Sequence, residues 1–304
     1  MNYIFHLLSL VLVFGLSSLG LSFCVGHAGQ LSMSQAASFG VGAYAYAVLG
    51  VAYAMPSWLA LAGAGVTGIV FSFAAGFIAR SLADDEFVFG TLAFNVMVWG
   101  LIYNGTDGGS PLGSLRNLTN GPYGISDVPP LPSRALGAQP WRLAMAVAVV
   151  VAVLLAASRA ALESPWGRLL RAVRDSPALA LSLGKRVAAE RARAAAAASF
   201  LGTMAGALYA AQVRYVDPSV AHLDLSVFFL TCLLLGGAAT FGGPLLGSAG
   251  VVLLPEALRL FGMGGATVAR LRVIGYAATL LVLLHLRPAG LLGRGTRLDP
   301  VGGA

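Results

Sequence analysis

The sequence predicts an all-α polytopic transmembrane helical bundle of about nine spans, and three observations carry that prediction. Of the 304 residues, 58% are hydrophobic and only 10% are charged, with a mean hydropathy of +0.81. Soluble domains carry about 25% charged and about 45–50% apolar residues, so this chain has too little polar surface to face water all round. Its apolar residues recur in runs near the ~20-residue length that crosses a bilayer. Its basic residues gather in the connections between those runs, where loop charge sets topology.

In chain order the expected spans are roughly 3–25, 36–54, 57–79, 87–104, 141–158, 195–213, 225–238, 244–262 and 271–286. The count is open between about eight and ten, because 225–238 is short for a crossing. The first run lacks a basic leader and exceeds the about 7–15 apolar residues of a signal peptide, so it reads as a retained span. Arg80 and the acidic turn Asp84, Asp85 and Glu86 separate the third span from the fourth. A Gly- and Pro-rich connection, 104–140, precedes the fifth. The connection 159–193 then carries Arg159, Arg168, Arg171, Arg174, Lys185, Arg186, Arg191 and Arg193, and the tail adds Arg287, Arg294 and Arg297. An odd span count puts both basic segments on one side, which the positive-inside rule makes cytoplasmic. The N-terminus, 104–140 and 214–224 then fall outside. Glu256 and Arg259, three apart in the eighth run, are placed to pair on one helix face.

The composition also excludes functions. The net charge of +7 does not form a soluble basic patch with interleaved aromatics, so no nucleic-acid partner is expected. Cys24 and Cys232 lie in apolar runs and read as small buried hydrophobes. The chain holds no phosphate-binding P-loop, no HExxH, no GxSxG and no cluster of metal ligands. No catalytic residue, metal or bound cofactor is therefore expected, and the chain is not read as an enzyme. Gly202 with Gly206, and Gly243 with Gly247, are each four apart on apolar helices and give flat faces for close helix approach.

Two segments do not fit a plain bundle. Residues 24–44, CVGHAGQLSMSQAASFGVGAY, insert glycines and uncharged polar side chains between apolar runs. Backbone groups freed from a helix inside a bilayer must bond within the protein or line a cavity. A broken or re-entrant segment near 26–42 satisfies this, and a short turn at 26–35 is the simpler alternative. The candidate pathway residues are Gly26, His27, Gly29, Gln30, Ser32, Ser34, Gly42 and Tyr44. The second segment is 163–184. Ser164-Pro165 and Ser176-Pro177 are both helix-start signals, and Gly184 suits a helix end. The first of these short helices puts Trp166, Leu169, Leu170 and Val173 on one face and Arg168, Arg171, Arg174 and Asp175 on the other. Such a helix either lies on the membrane surface or docks on another protein.

The run VGHAGQLSMSQAASFGVGAYAYAVL resembles the first signature of permease subunits of branched-chain amino acid ABC importers, the LivM type. Gly26, Gly29, Gln30, Leu31, Ser32, Phe39, Gly42, Ala43 and Tyr44 match that pattern, whereas Gln35 departs from it. The likeness continues in TLAF at 91–94, LTNGPYGI at 118–125, ESPWGRLLRAVRDSPALALSLG at 163–184, LLLGGAATFGGPLLGSAGVVLLPEALR, and RPAGLLG near the end. RSLADDEFVFG ahead of TLAF and KRVAAERARAAAAASF after Gly184 depart from the family's usual wording.

The resemblance implies one transmembrane permease domain over 1–304, in a bacterial cytoplasmic (inner) membrane. It implies a second homologous permease subunit, two cytoplasmic ATPase subunits that carry the ATP, and an extracytoplasmic substrate-binding protein. It also makes 159–193 a cytoplasmic coupling loop, with Glu163, Trp166, Arg168, Arg171, Arg174, Asp175 and Gly184 as its candidate coupling residues. The implied cargo is a branched-chain or related amino acid. Urea and short-chain amide importers use permeases of similar pattern, and an ATP-independent carrier or channel, or a membrane scaffold, remain the other classes.

Overall fold

Prolines and glycines cut the chain where it must turn, and uninterrupted apolar residues between them wind into helices. The computed structural model describes residues 2–82, 84–107, 109–114, 116–131, 140–260 and 291, with backbone alone at 2, 84–85, 140, 254–255 and 257–260. Helix α1 (Asn2–Ser22) runs on into a wider π turn, Phe23–Ala28. Gly29 stops it at φ +73°, a left-handed conformation that costs glycine least. Then follow α2 (Gln35–Val51), α3 (Ser57–Ser81) directly after Pro56, α4 (Asp84–Asn104), α5 (Pro140–Glu163), α6 (Pro165–Asp175) and α7 (Pro177–Ser182). The last described helices are α8 (Val187–Val213), α9 (Leu223–Gly236) and α10 (Gly243–Leu260).

Five described helices are long and apolar enough to cross a membrane: Tyr3–Ala28, Ser57–Ser81, Glu86–Asn104, Trp141–Glu163 and Val187–Val213. The polytopic helical class is therefore present, while a count of nine is not established. α2 has 17 residues and α9 has 14, so at 1.5 Å per residue they reach only about 26 and 21 Å. α9 falls short of a ~30 Å core, while α2 stands at the ~17-residue lower limit for a crossing. The expected ninth span, 271–286, lies outside the described residues, as does the Glu256–Arg259 pairing. Asp84, Asp85 and Glu86 do not form a free turn; they open α4, where negative charge suits the helix N-terminus.

The connections sort into two ends. At one, Cys24 clusters with Ala79, Phe87, Ala195 and Ala198, and Arg174 reaches Gly26, so 23–29, the α3–α4 turn and the basic segment share a side. At the other, Tyr46 donates to the Pro129 carbonyl at 2.8 Å, Ser57 to Pro130 at 2.8 Å, and Gln212 Nε2 to the His6 carbonyl at 2.8 Å. That groups the N-terminus, the α2–α3 turn, the 104–131 connection and the end of α8. The grouping matches the alternation expected from loop charge, an expectation in which the basic end is the cytoplasmic one and the other the outer one.

α8 is the central helix, packed by α1, α2 and α3, while α5 sits at the periphery with Met145, Val149 and Val153 exposed. The close approach of α2 to α8 rests on small residues. A Cβ on Gly42 would collide with the Thr203 carbonyl, and one on Gly206 with that of Phe39. Gly247 abuts the Cys232 carbonyl in the same way, so α9 and α10 also pack backbone to backbone.

Candidate functional site

The break after Gly29 is a return into the bundle. Gln35, the first residue of α2, donates from Nε2 to the carbonyls of Ser17 (2.8 Å) and Ala198 (3.3 Å). Both lie about eleven residues, roughly 16 Å, inside the cytoplasmic ends of their helices. The six residues Gly29–Ser34, when extended, span about 20 Å, enough to climb from the cytoplasmic end to that depth. α2 therefore starts well inside the bundle, near the middle of the full-length helices α1 and α8. The irregular part is shorter than the 26–42 expected, because the π turn keeps 23–28 helical and α2 resumes at Gln35.

A helix that begins inside the bundle must have its first N–H groups satisfied there. α4 supplies two partners one turn apart: Thr91 Oγ1 accepts from Met33 N at 3.1 Å, and Asn95 Oδ1 from Ala37 N at 2.8 Å. Ser226, in the first turn of α9, accepts from Ala36 N at 2.9 Å. α9 also starts at mid-depth. The segment before it, which contains the 3-10 turn Pro218–Ala221, descends from the outer end, where Val216 pairs with Ile125. Asn95 Nδ2 donates to the Ala221 carbonyl at 3.2 Å. Two helices shorter than the full-length spans thus meet N-terminus to N-terminus, with the fully buried Asn95 between them.

The sequence-derived residues fall into three groups. His27 is buried and donates from Nδ1 to the Ser22 carbonyl at 3.0 Å, and Ser32 and Ser34 bond one another at 3.1 Å. Gln30 and Tyr44 are buried, and neither Gln30 Nε2 nor the Tyr44 hydroxyl has a partner among the described residues. The Tyr44 ring lines an apolar cavity of about 370 Å³ toward the outer end, with Val41, Val48, Leu49, Ile102 and Leu118. Gly26 and Gly42 serve backbone approach: Gly26 sits against the Ala238 carbonyl, and Gly42 is taken up by the α2–α8 contact rather than by a cavity.

The helix-start signals of the basic segment hold, since Ser164 and Ser176 both cap with their hydroxyls. The apolar face of α6 packs largely within the chain: Leu170 and Val173 are fully buried, Trp166 stacks on Phe23 at 5.9 Å, and its Nε1 donates to Glu190 at 3.0 Å. The chain's own core takes that face because the helix lies directly under the π turn. Arg174 Nη1 donates to the Gly26 carbonyl at 2.7 Å, and Arg171 Nη1 to that of Leu162 at 3.3 Å. Glu163 pairs with Arg159 and Asp175 with Arg174 in exposed ion pairs that add little stability. Gly184, at φ +73°, lets the chain leave α7. The large apolar side chains left uncovered are those of Leu179, Leu181 and Leu183, at 65%, 58% and 77% exposure, beside exposed Lys185 and Arg186.

Sequence reading missed Asn95 and Ser226, and marked Gln35 only as a departure from the family pattern. The available signal was an amide in the middle of an apolar run, where polar side chains are costly and need a reason. Among the described residues no group of three or more His, Cys, Asp or Glu side chains is placed to hold a metal.

Residues 3–284 match the family model described as branched-chain amino acid transport system / permease component. The chain is 24% identical over 308 residues to the high-affinity branched-chain amino acid transport system permease protein LivM of Salmonella typhimurium, covering 93% of this chain and 68% of that protein. It is 25% identical to its namesake in Escherichia coli with the same coverage. It is also 25% identical over 185 residues to the probable LivM permease of Methanocaldococcus jannaschii, which spans 58% of this chain and 53% of that protein. No solved structure matches the chain.

Proposed function

Because the chain belongs to the permease-component family of branched-chain amino acid transport systems, we propose that it is one half of an ATP-driven import pathway for branched-chain or related amino acids. It is a multi-pass membrane transport subunit, and the bacterial cytoplasmic membrane is its proposed site. The observation that carries the reading is the polar break that re-enters the bundle to mid-depth between full-length apolar helices. Gln30, Ser32 and Ser34 offer neutral donors and acceptors there, which suit a zwitterion passing through weak sites. Gly26, His27, Gly29 and Tyr44 frame the same segment.

The drive comes from outside the chain, since its sequence has no nucleotide motif. The proposed partners are a second homologous permease, two cytoplasmic ATPase subunits that bind the ATP, and an extracytoplasmic binding protein. The segment 159–193 is the proposed coupling element. Its apolar docking contact is assigned to Leu179, Leu181 and Leu183, which project among cations and fit a cleft with acidic walls on the ATPase.

Two outcomes test these assignments. Leu181→Asp is expected to weaken ATPase association by about tenfold or more in pull-downs from membranes; unchanged association would remove α7 from the interface. Gln30→Ala combined with Ser32→Leu is expected to lower the maximal uptake rate about fivefold without changing ligand affinity of the binding protein. Unaltered kinetics would take the break out of the pathway.

A further inference from the structure

We propose that Asn95 is the positioning residue of a mid-membrane gate: it holds the N-termini of α2 and α9 together, and the pathway opens only when that junction parts. The proposal rests on the reading of the chain as half of an ATP-driven pathway.

The geometry singles out this side chain. Asn95 lies about eleven residues from the start of the 21-residue α4, near the centre of a membrane-crossing helix, and is fully buried. One amide serves three elements. Its Oδ1 accepts from Ala37 N of α2 at 2.8 Å and from Ser226 Oγ of α9 at 3.4 Å, while its Nδ2 donates to Ala221 before α9 at 3.2 Å. The Ser226 hydroxyl gives its proton to Asn95 and accepts from Ala36 N, so the junction is closed without an unmet donor among these groups. A Cβ on Gly40 would press on Ala221, so α2 and the turn before α9 are also in backbone-level contact.

A polar junction at this depth has two self-consistent states. Closed, every group is bonded within the protein; parted, the freed N–H and C=O groups need water or solute in their place. An apolar seam would offer solute nothing when it opened, whereas this one exposes two sets of helix N–H groups to whatever enters. The same element is tied to the cytoplasmic side. Arg174 bonds the Gly26 carbonyl and Trp166 stacks on Phe23, so movement of α6 displaces the π turn and, through Gly29–Ser34, the start of α2. No side-chain bond from α6 reaches α9 among the described residues, so α6 acts on the junction through the π turn and the start of α2.

The experiment uses the full complex in proteoliposomes, in a background with Cys24→Ala and Cys232→Ala. Asn95→Cys and Ser226→Cys are introduced together and bridged by a short bis-methanethiosulfonate, which joins each thiol through a disulfide with loss of sulfinate. Bridging is expected to stop ATP-driven leucine uptake more than tenfold while ATPase assembly persists, and thiol treatment is expected to restore it. Full uptake by the bridged complex would overturn the gate. Independently, Ser226→Ala is expected to raise ATP-free leucine exchange about fivefold, and Ser226→Thr, which keeps the hydroxyl, is expected not to. A purely structural role would lower the amount of protein recovered and leave leak per complex unchanged. Absence of leak in Ser226→Ala at normal ATP-driven uptake would also refute the proposal. If the unbridged, unmutated complex shows no ATP-driven uptake at all, the importer reading fails instead, and the leak comparison still reads the junction.

Discussion

Replacing Arg174 with glutamate is expected to cut ATP-driven uptake by about tenfold or more while the protein still inserts and its ATPase partners stay attached. Arg174 reaches across 148 residues of sequence to donate to the Gly26 carbonyl at 2.7 Å, and a Cβ on Gly29 would touch its side chain. A hydrogen bond to a charged group is worth about 1.5–3 kcal/mol, and a carboxylate in its place would repel the carbonyl it now serves. The ATPase contact lies on α7 in this account, so the substitution severs transmission rather than docking. Adding Arg171→Glu is expected to deepen the loss, because Arg171 ties α6 to the end of α5 at the Leu162 carbonyl. Uptake per assembled complex, measured beside ATP hydrolysis, checks this. Normal uptake in the double variant would dissociate α6 from coupling.

The largest effect on stability is expected at the α2–α8 crossing. Gly206→Leu would drive a side chain into the Phe39 carbonyl, and Gly42→Leu would meet the Thr203 carbonyl from the other helix. Neither neighbour is a flexible side-chain end, so the helices must separate. Overpacking of this kind costs about 1–3 kcal/mol or more, and separation also strains the Gln35 bonds that position the break. Either variant is expected to lose most of its folded, detergent-stable population. Gly100→Ala in α4 is the control: nothing lies within 4 Å of the added Cβ. Alanine's better helix propensity, about 1 kcal/mol, should leave it as stable as the parent or more so. Thermal unfolding in detergent by intrinsic fluorescence reads both.

Much of this architecture was legible in the residues. Composition and run length gave the helical membrane class, loop charge gave the sorting of the connections into two ends, and Ser164-Pro165, Ser176-Pro177 and Gly184 gave the short helices. Those signals are local: a cap or an apolar run acts within a few residues. The glycine pairs gave the packing faces for the same reason. What was not legible depends on distant partners. The 17 mostly apolar residues of α2 look like an ordinary short crossing until Ala36 and Ala37 are seen bonded to Ser226 and Asn95, some 190 and 58 residues away. The amphipathic pattern of α6 announced a buried face but not whose core buries it; Phe23 and Glu190 decide that. Gln35, a departure from the family wording, is a structural tie between α1, α2 and α8.

The central claim is that this chain forms half of an ATP-driven amino-acid pathway. Its most direct test is uptake into proteoliposomes that contain the chain with its candidate permease, ATPase and binding-protein partners. Labelled leucine and labelled urea are run side by side, with and without ATP at the ATPase face. ATP-dependent accumulation of leucine, and not of urea, is the result expected. Uptake of either solute that is indifferent to ATP would contradict the account and move the chain to the channels or secondary carriers.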